Sequence, residues 1–537
     1  MTLLVLPLAT TRARGCGRTP WKSSRGQLLL RLAAPVLALG LSACAQLTGP
    51  TPTPTPAPGV SQAGDACARW FAQLDRVIDS AGVRDAEAER IVGFAGLRVD
   101  RAGAALRERA AASAAAFDAW LSHLQGLEAA GRAAELANLP GTAFPLDDAA
   151  DASAANARSR ACSDAWRLPL QADPALRASL PARAVVPDRY ASVQRAVGLY
   201  PLLRWPFFAG VESWQREHEG QMARWSVAPP PTQRYVPAAS PPSPKSPTSP
   251  PSPPSLADLW QRPRDALGLP QFQADEAAAL LAAHAPALAI ETRGDFDRFG
   301  ALHWRAGLAT PAVDSAAPVV YQRLASTRYR SQWLVQLVYT LWFPERPPRH
   351  RFDVLAGALD AVVLRITLAP DDGRPLLLDA IHACGCYHLF LPTAEMRPRD
   401  NAPQGIEWAF APTTLPVLRP GQRLVVSLNS ASHYVMAVAA EAAQAGTSVL
   451  PSTAYTLRDD SELRRLPLPQ GGTRSVYGPD GLVAGTERAE RFLFWPMGIA
   501  SAGAMRQWGH HASAFVGRRH FDDADLIERR FVIPSLE

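Results

Sequence analysis

The stretch "AVVLRITLAPDDGRPLLLDAIHACGCYH", Ala361–His388, decides how the C-terminal half of this chain is read. Two apolar, β-branched runs, "AVVLRITLAP" and "RPLLLDAIHA", flank the turn signal "DDG" at Asp371–Gly373. That pattern predicts an antiparallel hairpin. Working outward, "QWLVQLVYTLWF" (Gln332–Phe343) is another β-branched and aromatic run, and "QRLVVSLNS" and "HYVMAVAA" (Gln422–Ser430 and His433–Ala440) flank a further turn. An alanine- and leucine-rich segment, "ADEAAALLAAHAP" (Ala274–Pro286), predicts an amphipathic helix ahead of them. Residues 256–537 are therefore expected to form an α+β domain on an antiparallel sheet, with helices at its edges.

The preceding part reads differently. Leu106, Ala110, Ala114, Phe117, Leu121 and Leu124 recur at helical spacing, with Gly131 as the stop. Ala66–Gly82 and Asp188–Trp205 carry similar spacing. Residues 60–228 are expected to be an α-helical domain of antiparallel helices packed through alanine-lined faces. Two proline-rich tracts frame it, a Pro/Thr tether at 44–59 and a Pro/Ser linker at 229–255. Both lack the apolar residues of a packed core and predict extended spacers. Each globular part is long enough for a core of its own. The overall class is thus a helical domain joined to an α+β domain. Cys67 and Cys162 both precede apolar helical segments of the first part and predict a disulfide in an oxidising compartment.

The first residues name that compartment. Arg12, Arg14, Arg18, Lys22, Arg25 and Arg31 precede the apolar run Leu32–Leu41, which ends in "LSAC", Leu41–Cys44. A basic segment, a short apolar run and small residues form the pattern of an export signal, here residues 1–43. The run is too short to span a bilayer, which takes about 20 residues. "LSAC" resembles the lipobox of bacterial lipoproteins. That resemblance implies cleavage before Cys44, lipidation of its thiol and attachment to a membrane. Ala45, rather than an aspartate, implies sorting to the outer membrane, with the body facing the periplasm. The formal charge of +6 is carried by the leader, and the rest of the chain is near neutral. Nucleic-acid binding, which draws on clustered positive charge, is therefore not expected.

Chemistry concentrates in "IHACGCYH", Ile381–His388. On a continued strand His382, Cys384, Cys386 and His388 share one face, but they spread too far for a single ion. A bend at Gly385 would gather Cys384, Cys386 and a histidine, with His433 or His510 completing a zinc site. A local Cys384–Cys386 disulfide and two free, half-buried thiols are the competing readings. "GHH" (Gly509–His511) reads as one buried and one exposed histidine, and "GDFDRFG" (Gly294–Gly300) as a solvated turn. The tryptophans Trp304, Trp342, Trp408, Trp495 and Trp508 fit a groove or a core equally. No HExxH, GxSxG or P-loop occurs.

"IHACGCYH", "PMGIASAGAMRQWGHH" and "FVGRRHFDD" are similar to segments of uncharacterised proteobacterial envelope proteins, a resemblance to which no activity attaches. Two functions are therefore carried forward. One is a lipid-anchored binding or scaffolding protein with an envelope protein as partner. The other is a zinc-dependent enzyme centred on Cys384, Cys386 and His388, with Asp379, Asp522 or Asp523 as the nearby acid.

Overall fold

The computed structural model describes residues 62–147, 149–238, 256–443 and 451–537. The leader, the Cys44 lipobox and the tether lie outside them. Ten strands build one sheet: β1 (Gln233–Pro237), β2 (Ala287–Ile290), β3 (Val319–Tyr329), β4 (Gln332–Arg346), β5 (Gly357–Leu368), β6 (Pro375–His382), β7 (Leu389–Pro392), β8 (Gln422–Leu428), β9 (Val435–Ala442) and β10 (Ser452–Asp459). Their spatial order is β7-β6-β5-β4-β3-β10-β1-β2-β8-β9.

The predicted hairpin is β5–β6, with Asp379 opposite Arg365 and His382 opposite Val362. The second hairpin is β8–β9. From β7 through β3 every pairing is antiparallel, as expected. The rest is mixed: β10 runs parallel to both β3 and β1, and β2 runs parallel to β8. The sheet is therefore mixed, with six antiparallel pairings and three parallel ones among the described residues. The centre reads as unbroken apolar sequence because both faces are covered; in β4, Trp333–Phe343 are all buried. One face packs Leu337, Leu341, Val362, Leu364, Leu378 and Ala380 into the main core. The other packs Val338, Trp342, Ala361, Val363 and Ile381 against the C-terminal segment.

The helices of ten residues or more are α1 (Gln62–Ala81), α2 (Arg101–Ala110), α3 (Ala114–Asn138), α4 (Ala152–Asp164), α5 (Pro174–Arg183), α6 (Tyr200–Val227) and α7 (Ala274–His284). The single helix expected through Leu106–Leu124 is two, because Ser113 caps a new start by accepting from the Ala116 amide. Gly131 does not stop α3. It leaves room for the Arg98 guanidinium, which would stand 2.6 Å from an added Cβ. Cys67 in α1 and Cys162 in α4 are at disulfide distance, 2.01 Å between sulfurs.

The two parts expected to fold separately share one compact unit, Ala57–Glu537. Part of the expected linker is also structured: "QRYVP" forms β1 between β10 and β2. Buried and half-buried ion pairs knit the halves. Arg464 grips Asp85 through two bonds of 2.9 and 2.8 Å, and Arg323 reaches Glu87 at 2.7 Å. Within the helical half, Arg98 bonds Glu128 and Glu135 at 2.8 and 2.7 Å, all three buried. Helix packing there is ionic as well as alanine-lined.

Candidate functional site: two buried histidine–carboxylate systems

"IHACGCYH" is not a strand. β6 ends at His382, and the chain turns through Gly385, whose φ of +88° is the conformation glycine adopts without penalty. The His382 amide donates to Cys386 O at 3.0 Å and the Gly385 amide to His382 O at 2.7 Å, which closes the turn toward β7. The bend falls where the sequence places it, but it separates the candidate ligands. His382 joins the face that carries Leu378 and Ala380, while His388 returns on the opposite face beside Asp379.

On the first face Asp360 of β5 is the hub. Its carboxylate lies 2.8 Å from His433 Nδ1, 3.1 Å from the Arg488 guanidinium and 3.4 Å from His382 Nδ1. His433 Nε2 lies 3.4 Å from Asp297, and its ring stacks on Phe343 at 3.9 Å. Asp297 is therefore not in a solvated turn. It is buried and accepts from the amides of Arg293 (2.8 Å) and Ala431 (2.7 Å) and from Ser430 Oγ (2.8 Å). Burial pushes the Asp360 carboxyl up, but His382, Arg488 and the histidine hydrogen bonds hold it well below the usual carboxylate range. Burial pulls His433 down, yet its bonds to Asp297 and Asp360 outweigh that and raise it; for His382 burial wins and lowers it. Asp360 and Asp297 thus flank His433 and favour its protonated form, Asp360 also faces Arg488, and burial disfavours the protonated form of His382.

Backbone strain gathers at the same place. Leu359, Tyr387, Ala431 and His433 all have positive φ, 53°, 62°, 65° and 50°. Each such residue costs on the order of 1–3 kcal/mol and persists only where the surroundings over-determine it. His382, Tyr387, His433 and Tyr434 line a small cavity with Trp214 and His218 of α6, with room for about one water molecule. His382 Nε2 and His218 Nδ1 have no hydrogen-bond partner among the described residues. The Arg346 guanidinium closes the aromatic wall, donating to Tyr434 Oη at 3.1 Å.

On the opposite face His388 Nε2 donates to Asp379 at 2.9 Å, and Ser513 Oγ lies 3.3 Å from its Nδ1. Arg365 clamps Asp379 through two bonds of 3.0 and 2.6 Å. Burial, with only partial compensation from Asp379, lowers His388 to about 3, so the imidazole is neutral. Serine, histidine and aspartate in sequence resemble a nucleophile, base and orienting acid. Here the three are buried, and Ser513 Oγ accepts from Arg519 Nε at 3.2 Å, which lowers its nucleophilicity.

Cys384 and Cys386 are free and buried in the turn, with the Cys386 amide 3.4 Å from Cys384 Sγ. Hydrogen bonding to Cys384 and burial push the Cys386 thiol well up, so it is not a thiolate. His510 lies elsewhere, its Nε2 2.7 Å from Ala86 O, and His511 beside it is buried too, contrary to the expectation of one exposed ring. Asp522 and Asp523 turn to Arg101 and His520. No group of three or more His, Cys, Asp or Glu among the described residues is arranged to hold a metal ion. As placed, His388 uses both ring nitrogens, His433 faces two carboxylates, and Arg488 bonds one oxygen of Asp360. The tryptophans do not gather either, since Trp304 and Trp342 are core while Trp495 is exposed. The hub residues Asp360, Arg488, Trp214 and His218 were not singled out from sequence. The signal available was an aspartate inside the apolar strand "GALDAVVLRITL". Comparison of the chain with protein-family models, curated proteins and solved structures finds no match.

Proposed function

We propose that the chain is a lipid-anchored envelope protein, attached through Cys44 at the outer membrane and facing the periplasm. Its folded body serves as a binding or scaffolding module for an envelope partner. The observation that carries the second half of this reading is the enclosure of the Cys/His set. His382, Cys384, Cys386, His388, His433 and His510 are all buried, and they are divided between two faces of the sheet, a turn and, for His510, a separate loop against Ala86. A catalytic metal centre keeps an open coordination position, and the enclosure of these side chains supports the binding reading over it. The test of the anchor is palmitate labelling and membrane fractionation of the full chain beside Cys44→Ala. Unlabelled parent protein would overturn it.

The zinc-enzyme reading retains one favourable observation, the partnerless His382 Nε2 in the cavity beside Asp360. Elemental analysis of the purified chain decides between them. Zinc near one equivalent, lost in Cys384→Ser/Cys386→Ser, would replace the binding reading with that one.

A further inference from the structure

Helix α6 buries side chains fully only from Val211 onward, and its opening turns are partly packed through Tyr200, Phe207 and Phe208. Val211, Trp214, His218, Met222 and Trp225 are buried, whereas Leu202, Leu203 and Trp205 in its opening turns face solvent. Just ahead, Val193, Val197 and Leu199 are exposed too, Val193 to 75%. The segment Phe492–Trp495 adds three more large apolar side chains, with Phe492 exposed to 71%. The two segments adjoin. The Ala191 amide donates to Gly498 O at 2.7 Å, Arg195 Nε to Met497 O at 2.8 Å, and Phe207 meets Phe494 at 5.4 Å. Phe352, exposed to 77%, lies in the neighbouring loop, tied in by the Glu490 amide donating to Val354 O at 3.1 Å. Folded surfaces scatter such residues singly; a contiguous set marks an interaction face.

The polar groups around these side chains say what covers them. Arg204 lies over Trp205 at 4.6 Å, Arg491 over Phe492 at 4.8 Å and Arg351 over Phe352 at 5.5 Å. Three exposed aromatic rings each carry a guanidinium; beside Phe352, His350 is exposed, and Arg349 is paired with Asp353 at 3.5 Å. Apolar side chains that insert shallowly, flanked by arginines that reach phosphates, are what the boundary of an anionic bilayer accepts. The chain length agrees. The 17 residues between Cys44 and Gln62 span at most about 3.3–3.6 Å each, so an anchored body stays within reach of the bilayer.

We propose that this face, formed by residues 193–205, 492–495 and the loop at Phe352, seats the folded body on the anionic headgroups of a bilayer. The inference rests on the envelope reading and adds to it: the body lies on the membrane instead of hanging from a tether. The face recognises a lipid surface, and the competing occupant is a second copy of this chain.

The test uses the full chain with Cys16→Ser and Cys44→Ser, which removes the lipid anchor. Leu202→Cys carries an environment-sensitive fluorophore, and Leu168→Cys, 75% exposed on another helix, is the control. With phosphatidylglycerol-containing vesicles the Leu202 probe brightens several-fold and the Leu168 probe does not. The response weakens in high salt. Trp205→Ser and Phe492→Ser each lower vesicle affinity about tenfold. A silent Leu202 probe, or equal responses at both positions, overturns the proposal. So does brightening without vesicles that grows with protein concentration, which would assign the face to a second copy. Palmitate labelling of the parent with a silent Leu202 probe removes this inference alone, whereas a responsive probe on a chain that is never acylated removes the anchor alone.

Discussion

Asp360→Asn should be among the most destabilising single-atom changes available in the chain. The carboxylate is fully buried and faces His433 at 2.8 Å, Arg488 at 3.1 Å and His382 at 3.4 Å. The amide fills the same volume, so no cavity opens and the loss is electrostatic. Arg488 keeps its bond to Leu359 O at 2.9 Å but loses its counter-charge, and His433 is left with Asp297 alone. Removing one partner of a buried ion pair costs about 3–5 kcal/mol, because the other charge stays buried. That is a large share of the roughly 5–15 kcal/mol that holds a domain folded. The assay is equilibrium guanidinium unfolding of the full chain, followed together by tryptophan fluorescence and far-UV circular dichroism. Asp371→Asn, in the exposed β5–β6 turn, is the control and should change stability by under about 0.5 kcal/mol. The dependence on pH carries a second signature. Asp360 is held below its ordinary value, so its contribution is present above about pH 3.9 and fades as pH falls through the lower folded value. His433 is raised, so its contribution is complete below about pH 6.5 and fades as pH rises through the higher folded value. The deficit of Asp360→Asn is therefore greatest between about pH 4 and 6.5 and shrinks above it. A change below about 1 kcal/mol throughout that window would refute the hub assignment.

Other buried histidines act in the opposite sense. Burial draws His511 down to about 3, so the unfolded chain binds the extra proton below about pH 6.5 and stability falls toward acid. Between pH 7 and 5 this amounts to about 2 kcal/mol, and His511→Gln should flatten the decline by that much in the same unfolding assay; an unchanged slope counts against a buried neutral ring. Gly385→Ala should cost about 2 kcal/mol or more of unfolding free energy in the same assay, since φ is +88° and the new Cβ would sit 2.5 Å from Ala512 O. Cys384 and Cys386 should resist a thiol reagent in the native chain and react once it is unfolded. If unfolding without reductant releases neither, they form a disulfide and the free-thiol arrangement is wrong.

How much of this was legible follows from how local each signal is. The β5–β6 hairpin can be read because turn and register sit within one short stretch, and the helix Ala274–His284 because its apolar spacing is self-contained. The parallel pairings of β10 with β1 and β3 join residues such as Ser452 and Arg234, and nothing in either short strand encodes its distant neighbour. Most of the Pro/Ser tract, residues 239–255, lies outside the described residues, and its composition carries no information on whether the flanking parts pack together. Whether two parts pack depends on their surfaces, and Asp85, Glu87, Arg323 and Arg464 look like ordinary surface charges until they are paired.

The site was partly legible for a similar reason. Spacing by two keeps His382, Cys384, Cys386 and His388 on one face only while the strand runs straight. Gly385, the one residue there that takes φ of +88° without a Cβ penalty, is what sends His382 and His388 to opposite faces. The stronger signal lay in charges inside unbroken apolar strands: Asp360 and Arg365 in β5, Asp379 in β6. A charge buried in a sheet covered on both faces needs a counter-charge within reach. The hairpin register sets Arg365 against Asp379 and leaves Asp360 to look further along the chain. Its partners, His433 and Arg488, are the groups that such a search would have to find.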